Sequence, residues 1–224
     1  MEIGNNRIPG IRVENIGTKQ KPRNVIKGVV SLSCWNDHFL YEEADRLMKT
    51  KVVTDGLIAL WIDSETGIDD KFNLSDEQVN TYSFLVENQL KLRQSMLDEL
   101  KKQFPRLLSG EYASWEQDAP FFSRLPDLTP EFDFKSYIGP ASITICKDVK
   151  DGAAYVIWNF RCLWDTEHSL DFITHNERVI EIAPEADPWT IYRDNGTYEQ
   201  KNKAYKDKIS TLTFPKQKKW WQFW

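Results

Sequence analysis

A cluster of carboxylate and imidazole side chains in residues 164–175 is the part of the sequence best suited to chemistry. Neighbouring carboxylates and histidines can ligate a metal ion or act together as acid and base. The same residue types also shape turns, because their side chains form hydrogen bonds with nearby backbone amides. The candidate binding residues are Trp164, Asp165, Glu167, His168, His175 and Arg178.

Two interpretations of this cluster stay open. In the first, the protein is a metal-dependent hydrolase or lyase whose ligands are Asp165, Glu167, His168 and His175. In the second, Asp165 bonds backbone amides, Glu167 faces water and His168 caps a hairpin. We favour the second interpretation because a turn is needed here whatever the function, and because a whole strand separates His168 from His175. We therefore predict no catalytic residue, no metal and no cofactor.

Other catalytic motifs do not occur in the sequence. It contains neither phosphate-binding glycine loop, and it has no GxSxG nucleophile elbow and no HExxH helix. Cys34 and His38 have a spacing that would allow a thiol nucleophile and its base. The intervening Trp35 favours packing instead.

The C-terminal segment 214–224 combines aromatic rings with lysines. It could fold back onto an apolar patch of the body, dock to a partner or a second copy, or touch a membrane interface. The candidate residues for partner binding or weak self-association are Trp220, Trp221 and Trp224.

Charge is distributed unevenly along the chain. Residues 197–224 hold seven lysines against two acidic residues, a net charge of +5, so residues 1–196 carry −10 of the total of −5. An acidic body repels phosphate, which argues against nucleic acid and suits a basic protein partner. No apolar run is long enough for a transmembrane helix. Three cysteines without a CxxC pair and the lack of a secretory signal predict a cytoplasmic location.

The elements predicted to position the cluster belong to an α+β fold. Strands are expected at 25–32 and 56–62, and four short strands between 141 and 182 predict an antiparallel meander. A capping box at Ser75 and Gln78 starts one long amphipathic helix of about 30 residues that ends at Pro105.

The remaining segments are assigned by composition. Residues 42–51 predict a short helix or a loop, and a Pro- and aromatic-rich connection spans 105–140. Within that connection, Thr129 is expected to start a short helix that ends near Gly139. The predicted organisation is a polar, loosely held leader (1–24), a single α+β domain (25–190) and a basic, Trp-rich extension (191–224).

The segment W-D-T-E-H-S-L at 164–170, followed by His175 and R-V-I-E-I at 178–182, resembles an uncharacterised bacterial domain family. The signature of that family is a W-D-x-E-H-G-L turn, here with Ser169 in place of its glycine. The resemblance covers 25–190 and implies an intracellular α+β domain without an established activity. It also implies a likeness to the immunity proteins of bacterial polymorphic-toxin systems.

These observations predict a non-enzymatic intracellular binding protein, immunity-like in character. Its acidic surface is expected to engage a protein partner such as a basic toxin. Metal-dependent hydrolysis or lyase chemistry at the 164–175 cluster is the alternative.

Overall fold

Two compact units make up the chain, residues 1–187 and residues 188–224. The computed structural model describes residues 7–16, 24–45, 48–63, 74–108, 132–164 and 169–211. Every strand given below belongs to the first unit.

Nine strands are described. In chain order they are β1 (Arg12–Asn15), β2 (Asn24–Ser31), β3 (Phe39–Asp45), β4 (Met48–Val53), β5 (Leu57–Ile62), β6 (Ile138–Lys150), β7 (Ala153–Cys162), β8 (Leu170–His175) and β9 (Arg178–Ala183). Seven of them form one sheet in the order β1-β2-β5-β6-β7-β8-β9, and β3 and β4 form a separate two-stranded ribbon. All neighbours in the sheet are antiparallel except β5 and β6. The meander from β6 to β9 is as predicted.

Part of the expected leader is joined to this sheet. β1 pairs antiparallel with β2, with Val13 opposite Ile26. Ile8 is fully buried in the core. Residues 7–16 are therefore structural rather than loosely held, because a buried isoleucine and a strand pairing fix them to the body.

The ribbon of β3 and β4 replaces the short helix or loop predicted at 42–51, and that prediction was wrong. Its first strand approaches β6 closely at Gly139. A Cβ on Gly139 would overlap the carbonyl oxygen of Phe39. The approach is possible only because glycine has no side chain, and this long-range requirement is not visible in the ribbon's own sequence.

The long helix is two helices, α1 (Asp76–Glu87) and α2 (Gln89–Leu108). The capping box of Ser75 and Gln78 is present at the start of α1, as predicted. Asn88 separates the two helices because its backbone angles, φ −110° and ψ 20°, are not helical. Its N–H still donates to the carbonyl of Phe84 at 2.9 Å, and its side-chain Nδ2 donates to the same carbonyl at 3.1 Å. At the other end α2 continues past Pro105, where the sequence predicted a stop.

The predicted short helix from Thr129 to Gly139 is also wrong in its described part. A 3₁₀ turn, Phe134–Ser136, occupies the middle, and Gly139 lies inside β6. Thr129 lies outside the described residues, as does most of the Pro- and aromatic-rich connection.

One face of the sheet packs against the two helices. α1 contacts β6 and β7, while α2 contacts β9 and the 3₁₀ turn Ser33–Trp35. Trp35 and Trp158 are the largest fully buried side chains, and the Trp35 ring centroid lies 5.0 Å from that of Phe160, which is also fully buried. These rings lie in the main core of the first unit.

Two helices are described in the second unit, α3 (Pro188–Asp194) and α4 (Tyr198–Thr211). The Trp189 ring has three tyrosine rings with centroids within 5.7 Å, those of Tyr192, Tyr198 and Tyr205. α4 buries none of its residues. Among the helices described for this chain, none is long and apolar enough to cross a membrane.

Candidate functional site

The predicted cluster is described only at its two ends. The structure places Trp164 before it and Ser169 after it, while Asp165, Glu167 and His168 lie outside the described residues. The C-terminal candidates Trp220, Trp221 and Trp224 also lie outside them. The metal-dependent interpretation therefore stays a prediction for those residues.

Trp164 anchors the start of the bend in the core. Its side chain is buried, and its ring meets that of Phe104 edge-to-face with centroids 5.2 Å apart. Phe104 packs in turn against Phe134, at 5.7 Å. Trp164 fixes the chain where β7 ends, so its role in the described structure is packing rather than ligand contact.

His175 is committed to a structural hydrogen bond. Its Nε2 lies 2.8 Å from the carbonyl oxygen of Lys150, and because a carbonyl only accepts, Nε2 must carry the proton. The ring is buried and lies 4.8 Å from the Tyr155 ring, between centroids. That nitrogen has no lone pair for a metal. Arg178, an exposed residue, pairs with His175 across the β8–β9 hairpin.

No group of three or more metal-ligating side chains occurs in the part of the chain that the structure describes. The described ends of the cluster thus supply one buried, bonded histidine and one exposed arginine, but no assembled site.

Asp171 is the polar residue of this region that sequence reasoning did not select as a site residue. Its Oδ1 accepts from Asn159 Nδ2 at 2.8 Å, and its Oδ2 accepts from the backbone N–H of Ala186 at 3.0 Å. Burial raises the pKa of this carboxyl above its usual range, and the hydrogen bonds to it act in the opposite direction. The signal available in the sequence was an acidic residue between Leu170 and Phe172 in an otherwise apolar strand.

Asp171 belongs to a set of contacts that hold the turn after β9. Ser169 Oγ donates to the carbonyl of Pro184 at 3.2 Å, and Glu181 Oε2 accepts from the N–H of Asp187 at 3.0 Å. We call Ser169, Asp171 and Glu181 the turn latch. Each of the three side chains forms a hydrogen bond with a backbone group of residues 184–187, which follow β9. The turn latch therefore has a structural role.

A second polar cluster surrounds Cys34 at the junction of α1 and α2. Gln89 Oε1 accepts from the Cys34 N–H at 3.0 Å, and the Cys34 thiol points at the Gln89 carbonyl at 3.4 Å. Arg93 Nη1 donates to the carbonyl of Cys34 at 2.9 Å. An open groove of about 420 Å³ lies beside this junction, lined by Ser33, Cys34, Glu87, Asn88, Gln89, Leu90 and Lys91.

The surroundings of the Cys34 thiol disfavour its reactive form. Burial raises the pKa of Cys34 to about 11, which disfavours the thiolate at neutral pH. His38 does not act as its base, because the thiol is directed to Gln89 and His38 Nδ1 lies 3.2 Å from the carbonyl of Asn36. Burial also lowers the pKa of His38. Packing was the favoured interpretation of this pair, and these contacts agree with it.

Comparison with protein-family models gives one match, over residues 37–188, to a domain of unknown function, DUF6985. Comparison with curated proteins and comparison with solved structures each found no match. The matched range spans β3 to β9 together with α1 and α2. The chain therefore belongs to the DUF6985 family, an uncharacterised family as the resemblance implied.

Proposed function

We propose that this chain is a non-enzymatic binding protein of the bacterial cell interior, and that its acidic first unit engages a basic protein partner as an immunity protein engages a toxin. The observation that carries this proposal is the separation of charge between the two units. Residues 188–224 hold eight Lys and Arg against three Asp and Glu, so they carry +5 and residues 1–187 carry −10. Such a field steers a basic partner and favours its bound state.

Carboxylates are spread over the described surface of the first unit. The exposed ones are Asp37, Asp55, Asp63, Asp76, Glu87, Asp98, Asp133, Asp151 and Glu185. Because they face water, their field extends beyond the surface and is screened by salt. A basic partner would meet negative potential from several directions and would bind more weakly as salt increases.

Three described groups that are capable of chemistry have structural roles, and this supports the non-enzymatic part of the proposal. In the described residues, His175 donates to a carbonyl, Cys34 is buried with a raised pKa, and Asp171 holds a turn. Each of these groups has a structural role, so none of them is set up for turnover.

The test is affinity capture from native lysate with the full chain and two charge variants. Asp98→Lys reverses an exposed acidic residue of α2, and Lys102→Glu reverses a neighbouring base by the same amount. We expect a stoichiometric basic partner whose capture falls several-fold with Asp98→Lys and with added salt, and is kept or increased with Lys102→Glu. Recovery of no stoichiometric partner, or of one that is indifferent to both reversals, would count against the proposal.

Elemental analysis of the purified protein separates this proposal from the metal-dependent alternative. We expect no stoichiometric transition metal. Near-stoichiometric metal that is lost on His168→Ala would overturn the non-enzymatic proposal in favour of a hydrolase or lyase.

A further inference from the structure

The link between α3 and α4 contains the one Asn-Gly pair of the whole sequence, Asn195-Gly196. Asn195 follows the last residue of α3, and its N–H donates to the carbonyl of Ile191 at 2.9 Å. Gly196 has a φ of +77°, a left-handed conformation that glycine adopts without steric cost. The chain therefore turns sharply at this pair, between two helices of the second unit.

The side-chain carbonyl of Asn195 accepts two hydrogen bonds from one neighbour. The Thr197 N–H donates to Oδ1 at 3.0 Å, and the Thr197 hydroxyl donates to the same atom at 2.6 Å. The N–H is shared with the carbonyl of Tyr192, at 2.9 Å, so the hydroxyl is the principal donor. Donors aimed at a carbonyl oxygen stabilise the negative charge that develops there when the carbon is attacked. Cγ of Asn195 is therefore activated toward a nucleophile.

The nucleophile within reach of this carbon is the backbone nitrogen of Gly196. The hydrogen bond from the Thr197 N–H to Oδ1 closes a ring of atoms that contains both Cγ of Asn195 and that nitrogen. The Gly196 N–H is weakly engaged, because its nitrogen lies 3.4 Å from the carbonyl oxygen of Arg193. A Cβ at Gly196 would meet nothing within 4 Å, so the space beside this residue is open. Attack on Cγ is thus sterically unhindered.

From this geometry we infer that Asn195 is a site of spontaneous deamidation, and that Thr197 is the positioning residue that accelerates it. The Gly196 nitrogen gives its proton to water and forms a bond to Cγ. The bond from Cγ to Nδ2 breaks, and Nδ2 takes up a proton and leaves as ammonia, so that a cyclic imide remains. One water molecule then opens the imide at either carbonyl, which yields aspartate or isoaspartate. The sum consumes water and releases ammonia without any oxidation or reduction.

The modification changes the charge and the backbone of the second unit. Residues 188–224 then hold eight Lys and Arg against four Asp and Glu, so their net charge falls from +5 to +4. Isoaspartate also carries the main chain through Cβ, which lengthens the link between α3 and α4. The Trp189 and Tyr205 rings meet across this link, with centroids 5.6 Å apart, so their packing depends on the length of the link. This inference goes beyond the proposed binding function and does not rest on it.

Peptide mapping by mass spectrometry tests the inference on the full chain after incubation at neutral pH. Each asparagine is scored for the mass gain of replacing an amide nitrogen by oxygen, and isoaspartate is separated from aspartate by its retention. Asn195 is expected to be modified several-fold faster than Asn176. Asn176 is the matched asparagine, because it also lies in a tight turn, with a φ of 52°, but is followed by Glu177.

Variants at Thr197 separate the effect of the fold from the intrinsic reactivity of an Asn-Gly pair. Thr197→Val removes the hydroxyl donor while keeping the side-chain shape, and it is expected to slow the modification of Asn195 several-fold. Thr197→Ser keeps the donor and is expected to retain the wild-type rate. Thr190→Val is the matched control, because the Thr190 hydroxyl accepts from Arg193 Nη2 at 3.0 Å and does not contact Asn195. In guanidinium chloride, where the fold is lost, all of these proteins are expected to react at one rate.

Three results would overturn the inference. The first is a folded wild type in which Asn195 reacts no faster than Asn176, and this comparison needs no variant. The second is a folded Thr197→Val that reacts as fast as the wild type or faster, which would mean that the hydroxyl does not assist the attack. The third is a difference between these two proteins that persists in guanidinium chloride, which would assign it to the local sequence. Circular dichroism of each variant verifies that the helices are retained.

Discussion

The face of the seven-stranded sheet that points away from the helices is buried in one region and exposed in another. At the β7–β8 end the face away from the helices is closed: Tyr155 and Ile173 are fully buried, and His175 is nearly so. At the β2–β5 end the same face exposes Leu57 and Val29 to solvent. The polar residues of the closed end bond to backbone groups, whereas the charged residues of the open end remain at the surface.

This difference separates structural polar groups from those available for recognition. A buried polar group must be satisfied within the protein, because an unpaired donor or acceptor costs about 1–3 kcal/mol. His175 and Asp171 meet that requirement at the closed end, and so they have little capacity left for a ligand. The exposed apolar side chains of Val29 and Leu57, by contrast, are removed from water only when another molecule covers them.

The largest expected effect compares two tryptophans on opposite faces. Trp158 is fully buried and its Nε1 donates to Thr174 Oγ1 at 3.0 Å, so Trp158→Ala should lower the free energy of unfolding by about 3–5 kcal/mol. Trp61→Ala, on the face of β5 that points away from the helices, should cost about 1 kcal/mol, chiefly the loss of its contact with Lys27. Urea unfolding measures the free energy of unfolding of both variants. Similar losses for the two variants would show that the Trp61 side chain is covered in the monomer.

An intermediate effect compares two aspartates that hold backbone amides. Asp171→Ala removes acceptors from Asn159 and Ala186 and should cost about 1–3 kcal/mol. Asp55→Ala removes an exposed bond to the Leu57 N–H and should cost about 0.5–1 kcal/mol. Hydrogen exchange at the Ala186 amide should accelerate only in the first variant. Unchanged protection of Ala186 would mean that the turn latch does not hold this turn.

The smallest effect is a pH dependence caused by the buried imidazole of His38. Burial lowers its pKa in the folded state, so the unfolded chain binds a proton first as pH falls below about 6.5. The stabilising contribution of neutral His38 is complete above that pH and is lost as pH falls through the folded pKa. Asp171 acts in the opposite sense, because its raised pKa makes the folded state take up a proton first in more acidic solution.

His38→Phe keeps a ring of similar size beside Trp35, whose ring centroid lies 4.9 Å from that of His38. Urea unfolding as a function of pH should show a flatter curve for this variant just below pH 6.5 than for the wild type. Parallel curves would indicate that other groups cause the dependence. Val149→Ala, at an exposed site outside the His38 environment, serves as the control.

Local patterns predicted the regular parts of this fold. Alternation of side chains predicted the β6–β9 meander, and the spacing of Ser75 and Gln78 predicted the start of α1. The start is predictable because its hydrogen bonds join residues three apart in the chain. The break at Asn88 is also local. However, the sequence of an amphipathic helix does not show whether an asparagine side chain bonds the backbone or faces water.

Composition was less informative for the candidate site. The sequence grouped His175 with the acidic bend because of its proximity in the chain, and the fold directs its proton to Lys150 instead. Asp171 was not selected as a site residue, since its partners Asn159 and Ala186 are distant in sequence. The ribbon of β3 and β4 was mistaken for a helix or loop because its position depends on the space above Gly139.

The sequence alone determined the α+β class, the order of the strong elements and the separation of acidic and basic segments, since each depends on neighbouring residues or on simple counts. Tertiary structure decided which polar groups form hydrogen bonds inside the protein and which apolar side chains remain exposed to solvent. Burial and hydrogen-bond satisfaction depend on residues far apart in the chain, and only the folded sheet brings those residues together.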